Sequence, residues 1–179
     1  LLSGDYPLSQ AMVLRSLTAL PILAVLVHLS GGLRSLIAPG WPVMLLRGIV
    51  MFLAYLSYYL ALPALPLATT VALYFAAPLM ITVLSVLMLR EHVSPPRWLA
   101  VLVGFGGVLV MVRPGSAVFD WAALLPIASG AAYGLSMILA RTMGQSHSAA
   151  ALAFHGNAVF LAGALVLSAL FGTGADSVD

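Results

Sequence analysis

The sequence predicts an all-α fold, a polytopic bundle embedded in a membrane, and three observations carry that prediction. Six apolar stretches, at 11–29, 42–62, 65–89, 98–113, 121–140 and 149–171, fill almost all of the 179 residues. A bilayer core about 30 Å thick is crossed by about 20 helical residues, with a range near 17–25. Five of the six stretches reach that length and the fourth is slightly short. Hydrophobic residues make up 63% of the chain and charged residues 7%, against about 25% charged in an ordinary soluble domain. A soluble fold of this size cannot hide so much apolar surface. Finally, the charged residues fall nearly all between the stretches.

The same composition excludes several classes. There is no cysteine, so disulfides and thiolate metal sites are ruled out, and no metal or other cofactor is expected. The net charge of +2, from seven arginines and no lysine, is too small and too dispersed for a nucleic-acid surface. The expected partners are the lipid bilayer and a small-molecule substrate, with a homodimer as one option for the assembly. The opening Leu1-Leu2-Ser3-Gly4-Asp5-Tyr6-Pro7 has no positively charged leader. It reads as the tail of a preceding helix and a loop, and residues 172–179 read as a loop leading onward, so a longer bundle is expected.

The first span carries Arg15 about a turn from one end, and Pro21. An arginine there either snorkels to the headgroups or faces a cavity as a cation site. In the second span Arg47, Met51, Tyr55 and Tyr58 form a stripe with Tyr59 at its border. The connection Pro63-Ala64-Leu65-Pro66 is so short that the second and third spans must be antiparallel neighbours. In the third span Thr70, Tyr74, Pro78, Thr82 and Ser85 fall within about 120° of one another at the helical period. Pro78 lies mid-span, where its missing N–H predicts a kink.

The loop Arg90-Glu91-His92-Val93-Ser94-Pro95-Pro96-Arg97 stops one helix and starts the next, because proline suits a first helical turn. Ala100, Gly104 and Gly107 make a smooth strip on the fourth span, and Gly130 and Gly134 a GxxxG on the fifth. Such strips allow close helix approach in lipid. The fifth span also holds Pro126 near one end and groups Ser129, Tyr133 and Ser136 on one face. The last carries His155 near its start, with Asn157 on the opposite face and Ser168 on Asn157's side. One of those two faces must be buried in protein.

Three helices with tyrosine-and-hydroxyl faces predict a shared amphiphilic cavity. The candidate residues are Arg15, Arg47, Tyr55, Tyr58, Thr70, Tyr74, Pro78, Ser129, Tyr133 and His155, with no catalytic or metal-binding residue among them. The competing structural reading is that serine and threonine bond back to their own helix and tyrosine anchors at the interface. The loops after the first, third and fifth spans hold Arg34, then Arg90 and Arg97, then Arg141, and Arg47 lies a turn inside the second span. The alternate loops hold only Arg113, with Asp5, Asp120, Asp176 and Asp179 around it. The positive-inside bias places the arginine-rich loops in the cytoplasm and both ends of the chain outside.

The run Leu62-Pro63-Ala64-Leu65-Pro66-Leu67-Ala68 is followed by Pro78-Leu79, Arg90-Glu91-His92-Val93 and Arg97-Trp98, then by Gly104-Phe105-Gly106-Gly107-Val108 and Arg113-Pro114-Gly115. In this order and spacing the motifs resemble the EamA-type half-repeat of the drug/metabolite transporter superfamily. Arg15 matches an arginine common in the second helix of that repeat, and Arg47-Gly48 one at the start of the third. The resemblance implies ten helices in two five-helix halves of inverted topology around a central substrate cavity, in a bacterial inner membrane. This chain would then hold helices two through five of the first repeat in residues 1–115. Residues 116–179 would hold the first two helices of the second repeat. His155 stands where the first repeat has Arg15, so the two are not expected to share a role.

The expected function is that of a secondary transporter moving small organic metabolites or drugs by alternating access, not that of an enzyme. Two alternatives stand beside it. Ser129-Gly130 and His155 invite a Ser/His dyad of an intramembrane hydrolase, although the glycine expected before the serine is missing. A sealed bundle would instead be a membrane scaffold that transports nothing.

Overall fold

The computed structural model describes residues 8–113, 120–144 and 146–171, with side chains over 13–113, 120–144 and 146–169. The opening residues 1–7, Pro114 and Gly115 of the arginine–proline–glycine motif, and residues 172–179 lie outside the described residues, and with them Asp5, Asp176 and Asp179 of the orientation argument. Every regular element among the described residues is helical: α1 Leu8–Gly31, α2 Trp41–Ala61, α3 Leu67–Tyr74, α4 Ala77–Leu89, α5 Pro95–Val112, α6 Leu124–Met143 and α7 Ala149–Phe171. Short 3₁₀ turns at Leu33–Ile37 and Trp121–Ala123 lead into α2 and α6. Among the described residues six stretches are long and apolar enough to cross a bilayer: Val13–Gly31, Trp41–Ala61, Leu67–Leu89, Pro95–Val112, Trp121–Met143 and Ala149–Ala169. The all-α membrane class and the six spans read from composition therefore hold, in the same places.

The third span differs from its expectation in an informative way. It breaks into α3 and α4 instead of bending, with Phe75 and Ala76 as the turn between them. Pro78 would clash, inside a helix, with the carbonyl four residues earlier, which is that of Tyr74. The helix therefore ends at Tyr74 and restarts at Ala77, so that Pro78 falls in a first turn, where no N–H is needed. The Phe75 and Ala76 amides still donate to the carbonyls of Val71 and Leu73, at 3.1 Å each, so the break stays hydrogen-bonded. Helices α4 and α5 each end on an arginine in the left-handed region, Arg90 at φ 53° and Arg113 at φ 47°. The turn before α6 is capped by Asp120, whose Oδ1 accepts from the Ala122 amide at 2.8 Å.

The chain packs as two compact units. The first holds α1, the first half of α2 up to Phe52, and α7. Its main helix pairing is α1 with α7. The start of α2 also lies close on α7, because a β-carbon on Gly48 would stand 2.9 Å from the Val159 side chain and 3.4 Å from Cα of Gly156. The Phe52 ring fills the space where Gly163 lacks a side chain and meets Phe160 edge-on at 5.5 Å. His147 Nε2 lies 3.0 Å from the Pro39 carbonyl oxygen, joining the loops after the first and fifth spans.

The second unit, Leu53–Thr142, holds the rest of α2 with α3, α4, α5 and most of α6. Its close contacts follow the glycines of α6. A β-carbon on Gly130 would stand 3.2 Å from the Ala77 nitrogen and 3.3 Å from the Tyr74 oxygen, so α6 lies against the helix break itself. Gly134 approaches the Ile81 backbone nitrogen just as closely, at 3.3 Å. The strip on α5 is used only in part: Gly104 receives Leu79, while Ala100 is exposed and a β-carbon on Gly107 would meet no neighbouring element within 4 Å among the described residues. Leu73, Val112 and Ala123 form a buried cluster with Leu65, Val108 and Ile127 packed on it. Leu99, Leu102, Val103, Leu109 and Val110 leave most of α5 as an apolar exposed face, a surface suited to lipid.

In the same unit Arg141 reaches Glu91 with both terminal nitrogens, at 3.1 and 3.4 Å. Two helical crossings separate those positions along the chain, so their meeting agrees with alternating spans. Both side chains are about half exposed, at 54% and 40%. Screened pairs of that kind contribute about 0–1 kcal/mol. Glu91→Gln should therefore lower stability by less than about 1 kcal/mol, with the difference vanishing at high salt, as thermal unfolding at low and high salt would measure.

Candidate functional site

The densest gathering of predicted site residues is a group of tyrosines in the second unit. The Tyr58 and Tyr74 ring centroids are 5.4 Å apart at an interplanar angle of 75°. Tyr74 stands 6.0 Å from Tyr133 at 55°. Tyr59 extends the group, 6.0 Å from Tyr58 and 6.2 Å from Tyr55. All five rings are partly buried. These separations lie in the range where edge-to-face and offset pairs attract. Each helix delivers its rings for a local reason. One helical turn separates Tyr55 from Tyr58 and Tyr59, so α2 presents them together. Tyr74 is the last residue of α3, held at the break that Pro78 imposes. Tyr133 lies on α6 between Gly130 and Gly134, whose missing side chains let α6 come close to the break.

The hydroxyls behave less uniformly than the stripes suggested. Thr70 is buried and donates to the Pro66 carbonyl at 3.2 Å, Thr82 donates to Pro78 at 3.0 Å, and Ser85 to Thr82 at 2.9 Å. These three return their hydrogen bonds to their own segment, which leaves the tyrosines as the polar part of that face. Ser129 instead reaches across to α2 and donates to the Ala54 carbonyl at 2.6 Å from a buried position. Ser136, one further step along the same face of α6, is buried with no hydrogen-bond partner for its Oγ among the described residues. Pro78 itself is exposed.

The other candidates lie in the first unit. Arg15 is exposed at its place on α1, and its guanidinium carbon stands 4.8 Å from the centre of the Phe160 ring, a cation–π geometry. Arg47 points a terminal nitrogen at the Leu152 carbonyl of α7, 3.5 Å away. His155 is buried, 7% exposed, with Nδ1 2.9 Å from the Ala151 carbonyl oxygen one turn earlier. Asn157 donates to Ala153 at 3.0 Å and Ser168 to Leu165 at 2.9 Å. The two opposed faces of α7 do not divide into one buried and one exposed: His155 is buried near the start of the helix, and further along Phe160 and Ala164, on Asn157's side, are buried as well.

Sequence reasoning gave Tyr59 only a border place, and it missed Phe160 and Phe52 altogether. An aromatic residue in an apolar span carries no periodic signal of its own. The seven-residue spacing of Gly156 and Gly163 around Phe160 was the one available hint of a helix contact there. No group of three or more His, Asp or Glu side chains able to hold a metal ion occurs among the described residues.

The apolar helical spans define a multi-pass helical membrane protein. The chain belongs to the EamA-like transporter family, whose profile matches residues 1–113. It is 32% identical over 99 residues to a riboflavin transporter of Rhizobium johnstonii, a match covering 55% of this chain and 33% of that protein. A riboflavin transporter of Vibrio cholerae is 41% identical over 98 residues, covering 52% of this chain and 30% of the relative. An S-adenosylmethionine uptake transporter of Rickettsia prowazekii is 35% identical over 75 residues, covering 42% and 26%. The matched stretches thus span a third or less of each relative's length. No solved structure matches the chain.

Proposed function

We propose that the protein containing this chain is a secondary transporter that carries a small organic metabolite across a membrane by alternating access. The tyrosine group lines part of its substrate path. The observation that carries this reading is the gathering of Tyr55, Tyr58, Tyr59, Tyr74 and Tyr133 from α2, α3 and α6 at a broken helix. Broken helices in membrane transporters expose backbone polar groups to a cavity, and aromatic rings beside them add flat apolar faces. Riboflavin and S-adenosylmethionine, the solutes in the relatives' names, both carry a flat nitrogen heteroaromatic ring. Stacking on an aromatic side chain is worth about 1–3 kcal/mol per base-like ring. A solute bearing such a ring is therefore the proposed substrate class.

The same reading takes the complete protein as two five-helix halves of inverted topology in a bacterial inner membrane, with the repeat boundary near residues 115–116. That is a boundary in sequence, which packing units need not respect. The arginine-rich loops face the cytoplasm and both ends of this chain face outward. Ser129 and His155 are each engaged with a backbone carbonyl, Ala54 and Ala151, which supports reading them as packing groups and not as a hydrolytic pair.

The test is uptake by vesicles containing the full-length protein, with a flavin, a purine-bearing solute and a ring-free amino acid as candidate substrates. Saturable movement of a ring-bearing solute is expected, and failure to move any of them under every imposed ion gradient would overturn the transporter reading. Water access provides a second, separate check. This chain has no native cysteine, so with any cysteine outside it replaced by serine, cysteines placed singly at Tyr55, Tyr74 and Tyr133 can be probed with a membrane-impermeant maleimide. Labelling blocked by excess substrate is expected; a bundle that stays unlabelled throughout would favour a sealed scaffold.

A further inference from the structure

A second polar feature lies away from the tyrosines, at the arginine-rich end of the second unit. The loop between α4 and α5 encloses an open cleft of about 370 Å³, lined by Val86, Arg90, Glu91, His92, Val93 and Trp98. That volume falls within the range of small-molecule sites. Its walls are of two kinds. Arg90 and His92 bring polar, hydrogen-bonding heads to the lining, and Val86, Val93 and Trp98 bring apolar surface. Glu91, the acidic residue of the lining, is engaged at 3.1 Å with Arg141, which offsets its charge. Arg97, in the first turn of α5, adds a further positive charge nearby in sequence.

The position of the cleft matters as much as its lining. Val86 lies in the last turn of the span Leu67–Leu89 and Trp98 in the first turn of Pro95–Val112, while Arg90, Glu91, His92 and Val93 belong to the loop that joins them. The lining therefore straddles the end of two apolar spans, where hydrocarbon would give way to headgroups. Trp98 is part-exposed there, at the depth tryptophan favours. Beyond it in sequence, Leu99, Leu102 and Val103 continue an exposed apolar surface into the span. A soluble anion would match the arginine and leave the apolar walls uncovered. A phospholipid with an anionic headgroup matches both, its phosphate at Arg90 and His92 and its acyl chains along α5. We propose that this cleft is a binding site for an anionic phospholipid, distinct from the substrate path.

The test uses the full-length protein in bilayers with Trp41→Phe and Trp121→Phe, so that Trp98 is the tryptophan reporting from this chain. Acyl-brominated phosphatidylglycerol should quench Trp98 at a several-fold lower mole fraction than brominated phosphatidylcholine. Arg90→Gln should reduce that preference about fivefold, the factor corresponding to roughly 1 kcal/mol per surface cation. His92→Gln should reduce it further, whereas Arg97→Gln, outside the lining, should largely keep it. Equal quenching by the two lipids would overturn the proposal. So would loss of the preference in Arg97→Gln to the same extent as in Arg90→Gln, since a diffuse basic surface would then be responsible. Displacement of the brominated lipid by millimolar inorganic phosphate would assign the cleft to a soluble anion instead.

Discussion

Tyr74→Ala should raise the KM for transport by about tenfold or more, while Tyr74→Phe should stay within about threefold of the parent. The ring ends α3 at the helix break and stands between Tyr58 at 5.4 Å and Tyr133 at 6.0 Å, so its removal dismantles two aromatic contacts and one face of the group at once. Each such pair contributes about 0.5–1.5 kcal/mol, and stacking on a substrate ring about 1–3 kcal/mol. Phenylalanine keeps the face and loses only the hydroxyl. The measurement is initial uptake rate against substrate concentration, normalised to folded protein. A KM unchanged in Tyr74→Ala, with only the folded fraction reduced, would show that the ring packs the bundle and does not meet substrate.

Gly130→Val should destabilise the protein by roughly 1–3 kcal/mol or more, the usual cost of overpacking a site that cannot open. The atoms that a side chain would meet are backbone: the Ala77 nitrogen at 3.2 Å, the Tyr74 oxygen at 3.3 Å and the Ala77 α-carbon at 3.4 Å. They belong to the break that Pro78 imposes, so they cannot swing aside as a side chain would. Gly107→Ala is the matched control. Its added β-carbon would meet no neighbouring element within 4 Å among the described residues, so the change should be neutral or stabilising by up to about 1 kcal/mol from helix propensity. Thermal unfolding of the full-length variants in one detergent checks both. A tolerated Gly130→Val would mean that α6 does not seat on the break.

These two residues also mark how far the sequence could be followed. Tyr74 was expected on a polar stripe with Thr70, Thr82 and Ser85, but the break divides that stripe, with Thr70 and Tyr74 on α3 and Thr82 and Ser85 on α4. The three hydroxyls turn back to carbonyls of their own segment, an option open to serine and threonine on any helix. Ser129 carries the same kind of hydroxyl, yet it bonds across to Ala54 because α2 happens to lie within reach. The glycines show the same limit. Gly104, Gly107, Gly130 and Gly134 were all expected at close helix contacts; three of them meet a neighbour and Gly107 does not. Smallness permits approach without requiring it.

The membrane class, the six spans and the interruption at Pro78 were decided by sequence, because each rests on a local quantity. Transfer of apolar residues into lipid sums along one helix, and a proline's clash with the carbonyl four residues back needs no partner. Short connections such as Pro63-Ala64-Leu65-Pro66 added which spans run antiparallel. Only the tertiary structure decided that Tyr58, Tyr74 and Tyr133 meet, that Arg15 lies over Phe160, and that α6 seats on the break. Those outcomes depend on the rotation and axial register of one helix against another. In lipid no hydrophobic force drives helices together, so rotation and register follow from close packing and a few polar contacts. A single chain's periodicity does not contain them.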